Sequence, residues 1–164
     1  MKIAIIADTH DNVASLKKAV NLIKKEEIKL IIHCGDIFLP DTLKEGLKSF
    51  QGKTYIIFSK ADADFSRIPE KSFKSLPRSK VWEEFGEAKL GGKNIAFCHF
   101  PEIAGDLAKS QKYDLVFYGH THKPWEEKIG KTRLVNPGNI AGLFYRATFA
   151  VYDTKTDKLE LKIL

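Results

Sequence analysis

The chain has 164 residues, 43% hydrophobic and 29% charged, which suits one domain with a buried core and is too short for two. No run approaches the roughly 18–20 apolar residues of a membrane span, and the opening MKIAIIADTH lacks the apolar stretch and cleavage site of a signal peptide. A cytoplasmic protein with no membrane partner is therefore expected.

The net charge of +6 and pI near 9.2 come almost wholly from lysines scattered along the chain, with arginine only at 67, 78, 133 and 146. Such a field attracts anionic ligands, but no clustered basic stripe or nucleic-acid-binding motif accompanies it, so nucleic acid is not an expected partner. Cys34 and Cys98 are the only cysteines, and two thiols read as small buried side chains in a reducing compartment.

In chain order, Lys2–Ala7 is a continuous apolar run and reads as a buried strand. Val13, Leu16, Ala19, Val20 and Ile23 then form a helical stripe over Val13–Glu26, with Asn12 as N-cap. Lys29–Cys34 is a second strand, Asp41 or Thr42 can cap a second helix reaching Phe50, and Lys53–Phe58 is a third strand. This β-α-β-α-β opening predicts parallel strands with right-handed crossovers. Residues 60–80 lose periodicity and read as a long irregular segment, with Phe65 and Phe73 as candidates for a homodimer contact or for pinning the loop. From Val81 the chain becomes strand-rich, with hairpins turning at Gly91-Gly92, Gly130-Lys131 and Lys155-Thr156. Between them Glu102–Gln111 is a short helix and Asp114–Tyr118 a strand.

Polar motifs fall at the ends of these strands. Asp8 and His10 follow the first, Asp36 the second, His99 a later one, and His120 and His122 follow DLVFY. In open α/β sheets ligands bind beyond the carboxyl ends of strands, so these residues can converge. On extended backbone, residues i and i+2 point to one side, which lets each D-x-H or H-x-H pair grip one ion. Carboxylate oxygen with imidazole nitrogen suits Mn, Fe, Zn or Ni better than Ca or Mg. A single Asp after a strand is more often a turn or helix cap, and a lone His a satisfied polar residue, which is the reading taken for His33 inside its strand. All these plain explanations must hold together, however, and one shared metal site is the simpler account.

Asp8-Thr9-His10, Gly35-Asp36, His99, Gly119-His120-Thr121-His122 and Asn136-Pro137-Gly138 resemble the ordered motifs of the calcineurin-like metallophosphoesterase superfamily, in its small bacterial and archaeal phosphodiesterase branch. The resemblance implies an α/β fold with a two-sheet β-sandwich flanked by helices, in four α/β/β/α layers. It implies Asp8, His10 and His122 on one divalent metal, with Asp36 bridging to a second held by His99 and His120. Mn is the favoured ion, and Fe, Ni or Zn are also suited. It further implies in-line hydrolysis of a small or nucleotide-like phosphate ester by metal-activated hydroxide, with Asp36, His99 and Asp62 as candidate catalytic residues. The backbone of Asn136–Asn139 would shape the pocket floor.

Two positions depart from the family pattern. Where relatives carry Gly-Asn, this chain has Ser59-Lys60, and a charged lysine has no acceptor with which to ligate a metal. Ala61 cannot supply the leaving-group acid that relatives often take from the same motif. Phe100-Pro101 stands where relatives have Gly-His. The alternative function is accordingly a non-catalytic interaction module on the same scaffold, as in the retromer subunit of this fold.

Overall fold

The computed structural model describes residues 1–58 and 76–164. Its strands are β1 (Lys2–Ile6), β2 (Leu30–His33), β3 (Lys53–Ile57), β4 (Ser79–Trp82), β5 (Phe85–Leu90), β6 (Lys93–Cys98), β7 (Leu115–Phe117), β8 (Trp125–Ile129), β9 (Thr132–Asn136), β10 (Thr148–Asp153) and β11 (Lys158–Ile163). The helices among the described residues are α1 (Val13–Lys25), α2 (Pro40–Gly46) and α3 (Pro101–Lys109).

The first sheet has the order β11-β10-β1-β2-β3-β4, parallel from β1 to β4, with β10 antiparallel to β1. The second has the order β5-β6-β7-β9-β8, in which β6, β7 and β9 are parallel and the edges antiparallel. Strand alternation decides which residue enters which layer. Ile3, Ile5 and Ala7 of the β1 segment face Phe97, Leu115 and Phe117 of the second sheet, while Ala4 and Ile6 pack on Leu16, Val20 and Ile23 of α1. Ala96, Cys98 and Val116 meet Ala104 and Ala108 of α3 on the far side. The layers are thus α1 and α2, sheet, sheet, α3, the four-layer sandwich expected.

The Asn12 cap forms as read, its side chain accepting from Ser15 N–H at 3.0 Å. The second helix differs from expectation. It begins one residue after Leu39 with Pro40 at its first position, and ends at Gly46, not near Phe50. Neither Asp41 nor Thr42 caps it. The Asp11 carboxylate does so from a distant loop, accepting from Leu39 N–H at 3.0 Å and from the Thr42 hydroxyl. Strand β4 starts at Ser79, two residues before the expected strand-rich region, because it finds a parallel partner in β3. Both cysteines are buried free thiols; burial lifts Cys98 to about 12 and raises Cys34 well above its usual value.

Candidate metal centre

The loops after β1 and β2 continue as a backbone ladder once the strands end. Asp8 N–H donates to Gly35 O at 3.0 Å, Thr9 N–H to Asp36 O at 2.8 Å, and Asp11 N–H to Ile37 O at 3.2 Å. From the other side Ile140 and Ala141 donate to Ala7 O and Asp8 O. The second sheet joins through His120 N–H, which donates to Asp8 Oδ1 at 3.0 Å, and within that sheet Gly119 N–H donates to His99 O.

His33, read as a satisfied core histidine, is fully buried and bonded at both nitrogens. Gly35 N–H donates to its Nδ1 at 3.2 Å, so the proton sits on Nε2, which donates to Thr9 Oγ1 at 2.7 Å. It ties the Asp8-Thr9-His10 loop to the Gly35-Asp36 loop. Asn136 and Asn139 play the same part elsewhere: Asn136 Nδ2 donates to Gly119 O and Thr121 Oγ1, and Asn139 Nδ2 to His122 O. These side chains brace the His120–His122 loop from behind.

Asp8, His10, Asp36 and His122 come together, one ligand atom from each lying within 4.8 Å of all the others. His10 Nε2 is 3.0 Å from His122 Nε2 and 3.2 Å from Asp36 Oδ2, and His122 Nε2 is 3.7 Å from Asp8 Oδ1. Bonds of roughly 2.1 Å to one ion place neighbouring donors about 3.0 Å apart at right angles and about 3.4 Å apart at tetrahedral angles, close to the separations seen. The donors therefore fit a common divalent ion. His99 and His120 lie outside this group of four but beside one another, ring centroids 5.2 Å apart, and the Phe100 ring touches both.

The residues do not converge by strand alternation. Asp8, His10, Asp36, His120 and His122 all have positive φ, between 43° and 68°. The chain folds back at each strand end, and the left-handed residues aim their side chains inward. Asp and His are among the non-glycine types that adopt this region most readily.

Burial favours the neutral form of His10, His33, His99 and His122. Burial pulls His10 and His99 down to about 4 and His33 to about 3, and also lowers His122 against the opposing pull of the Leu143 backbone. His99 shows what this allows. Its Nδ1 is 2.9 Å from the Cys34 carbonyl, which can only accept, so Nδ1 carries the proton. Its Nε2 then presents a lone pair, buried and, among the described residues, without a hydrogen-bond partner. A cation is the natural occupant of such a position, and the backbone carbonyl on Nδ1 is the usual outer support of a metal-binding histidine.

Lys60, Ala61 and Asp62 lie outside the described residues, as do Phe65 and Phe73. Arg78 sits at the start of β4, the sheet end opposite the cluster, and donates to Phe50 O at 3.3 Å. Sequence reasoning missed Asp11 as a remote cap and Asn139 as a brace. It also missed Phe144, whose ring lies 5.6 Å from His122. Asn139 had a signal, since it follows Asn136-Pro137-Gly138, but its use is set by tertiary approach.

Comparison with known proteins places this architecture. The chain is 27% identical to Phosphodiesterase MJ0936 of Methanocaldococcus jannaschii over 94% of both chains. It is 30% identical to Probable metallophosphoesterase MJ0623 of the same organism, over 100% of this chain and 81% of the relative. Among solved structures, one from the characterization of a novel archaeal phosphodiesterase superposes with a TM-score of 0.88 at 24% identity, covering 100% of each chain. The calcineurin-like phosphoesterase superfamily domain matches residues 1–157, and this chain belongs to that superfamily.

Proposed function

We propose that the protein is a metal-dependent phosphodiesterase acting on a small or nucleotide-like phosphoester. In this reading Asp8, His10 and His122 hold one divalent ion, Asp36 is shared, and His99 and His120 hold a second. The observation that carries it is the convergence of four donors from both sheets at separations suited to one ion. The relatives' phosphodiesterase activity supports the substrate class.

When bound, such ions lower the pKa of water and polarise phosphoryl oxygens. The chain's own part is to hold neutral imidazoles and two carboxylates in place before any ligand arrives. The ladder between the two loops fixes Asp8 and Asp36, and Cys34 O fixes the tautomer of His99. Mn is the proposed ion, from the mixed oxygen and nitrogen donors. A cytoplasmic location is proposed from two buried free thiols. Lys60 is proposed to weaken the second ion's site, because an ammonium stands where relatives offer a carbonyl.

The test is metal analysis of the purified protein, followed by hydrolysis of a chromogenic diester with added Mn. At least one ion per chain and turnover that falls by about 10²-fold or more in Asp36→Asn are expected, in line with the several kcal/mol that metal catalysis supplies. Protein that takes up no metal and cleaves no ester would instead make it an interaction module on this scaffold. Lys60→Asn should raise occupancy and turnover together.

A further inference from the structure

A second feature adjoins the metal centre. A cleft of about 340 Å³ is lined by Tyr118, Thr121, Lys123, Trp125 and Tyr145. Thr121 lies between His120 and His122, and Phe144, the chain neighbour of Tyr145, has its ring 5.6 Å from His122, so the cleft flanks the loop that carries these histidines. Its volume is at the small end of the roughly 300–1,000 Å³ range of small-molecule sites.

The aromatic walls are exposed. Trp125 is 48% and Tyr145 46% accessible, and neighbouring Phe144 is 90% accessible. Trp125 opens the edge strand β8, and Lys123 Nζ lies 5.2 Å from its ring centroid. Tyr145 is presented by a tight turn in which its N–H donates to Leu143 O at 2.7 Å while Phe144 sits at φ 63°. That is a costly conformation for a bulky residue, and Asn139 Oδ1 helps hold it by accepting from Leu143 N–H. Exposed apolar surface gathered around a cleft marks a binding site.

We propose that this cleft is the subsite for a nucleobase carried by the phosphoester. The base lies against Trp125 and Tyr145, and the Lys123 ammonium draws the attached phosphate toward the metal side. Flat aromatic walls suit a base of any sequence, because every base has a π-face. The proposal deepens the phosphodiesterase reading and rests on it for the phosphate, but base binding is measurable without hydrolysis.

The experiment uses adenosine, which has no phosphorus, and the metal-loaded full chain. Binding is followed by calorimetry and, in the parent protein, by quenching of tryptophan fluorescence. Saturable binding with quenching is expected, and Tyr145→Ala and Trp125→Ala should each raise the dissociation constant about tenfold, the scale of one lost base–aromatic stack. Both residues are half exposed, Trp125 on an edge strand and Tyr145 in a turn, and circular dichroism would verify that the variants fold. No binding at millimolar adenosine, or affinity unchanged in both variants, would overturn the proposal; the first result would leave the patch to a protein partner. Adenosine binding with no diester hydrolysis would sink the catalytic reading and leave the subsite standing.

Discussion

Gly35→Ala tests whether backbone and side chains at the site are fitted to one another. Gly35 has φ 94°, and a Cβ there would lie 2.9 Å from His99 Nδ1 and 3.1 Å from His99 Cβ and Cγ. The backbone conformation alone costs an L-residue about 1–2 kcal/mol. The ring cannot yield easily, because it is buried and Nδ1 is tethered to Cys34 O at 2.9 Å. Forcing a methyl into such a place costs a further 1–3 kcal/mol or so. The sum is about 2–5 kcal/mol, a large share of the roughly 5–15 kcal/mol that holds a typical domain folded. Gly105→Ala is the control. Gly105 lies in the middle of α3, a Cβ added there would meet nothing within 4 Å, and alanine should stabilise by about 0.5–1 kcal/mol. One chemical change thus has opposite signs at two sites. Urea titrations of both variants and the parent, fitted at a common slope, read the difference directly. A Gly35→Ala loss below about 0.5 kcal/mol would refute the tight fit, and with it the fixed aim of His99 Nε2.

The metal-free protein should lose stability on acidification from neutrality. His33 and His99 titrate at about 3 and about 4 in the fold but near 6.5 unfolded, so between those values the unfolded chain binds protons that the folded one refuses. At about pH 5 each contributes a loss of about 2 kcal/mol, and urea midpoints flat from neutrality to that pH would contradict the burial argument. Asn12→Ala removes both the α1 cap and the 3.0 Å bond to Ala141 O, with an expected cost of about 1–2 kcal/mol by calorimetry. Asn12→Asp keeps the cap and loses the second bond, so its cost should be smaller. Finally, divalent metal at about a hundred times its dissociation constant should stabilise the fold by about 2.7 kcal/mol, an effect that chelator reverses and Asp36→Asn diminishes. A melting temperature indifferent to chelator would argue against a bound ion.

The strands could be read from sequence because their signals are local. From Ile3 to Ala7 the first run has no polar face and is short, which suits a strand buried on both sides, and Gly91-Gly92 between two short runs leaves little but a hairpin, as found. The α1 stripe and its Asn12 cap were equally local. What stayed hidden depends on distant partners. The second helix starts at Pro40, a local start signal that the reading of Asp41 or Thr42 as cap passed over, but the acceptor for its first turn is Asp11, almost thirty residues earlier, which no rule confined to residues 39–50 can find. Strand β4 shows only Val81 and Trp82 as apolar residues, and its identity comes from pairing with β3. At the candidate metal centre, residue type and position after strands picked out Asp8, His10, Asp36 and His122, which the fold brings together, while alternation on extended backbone, the reason given for the aim of each pair, does not hold at these positive φ values.

That mistake is informative about the chemistry. Alternation on extended backbone would have put each pair on one side of a strand at no conformational cost. Instead eight non-glycine residues in the site loops, among the described residues, have positive φ: Asp8, His10, Asp11, Asp36, Phe38, His120, His122 and Phe144. At up to about 1–2 kcal/mol apiece, least for aspartate and histidine and most for the two phenylalanines, this concentrates strain in one place. It persists because the ladder from Asp8 to Ile37, the His33 bridge and the Asn136 and Asn139 braces leave the loops no other course. A fold selected for stability alone would relax these turns by placing glycine or asparagine at them. Aspartate and histidine combine this backbone conformation with an inward donor, and a cation that bound all the donors together would return free energy to the folded state. Replacing a donor by glycine should therefore relax the backbone while abolishing metal uptake. For His122→Gly, the metal-free protein should be destabilised less than by His122→Ala, although both lose the ion, because alanine keeps the left-handed strain and glycine does not. Equal stabilities of the two metal-free variants in urea would show that the turn at His122 carries no strain worth the name, and that its positive φ owes nothing to the demands of the ion.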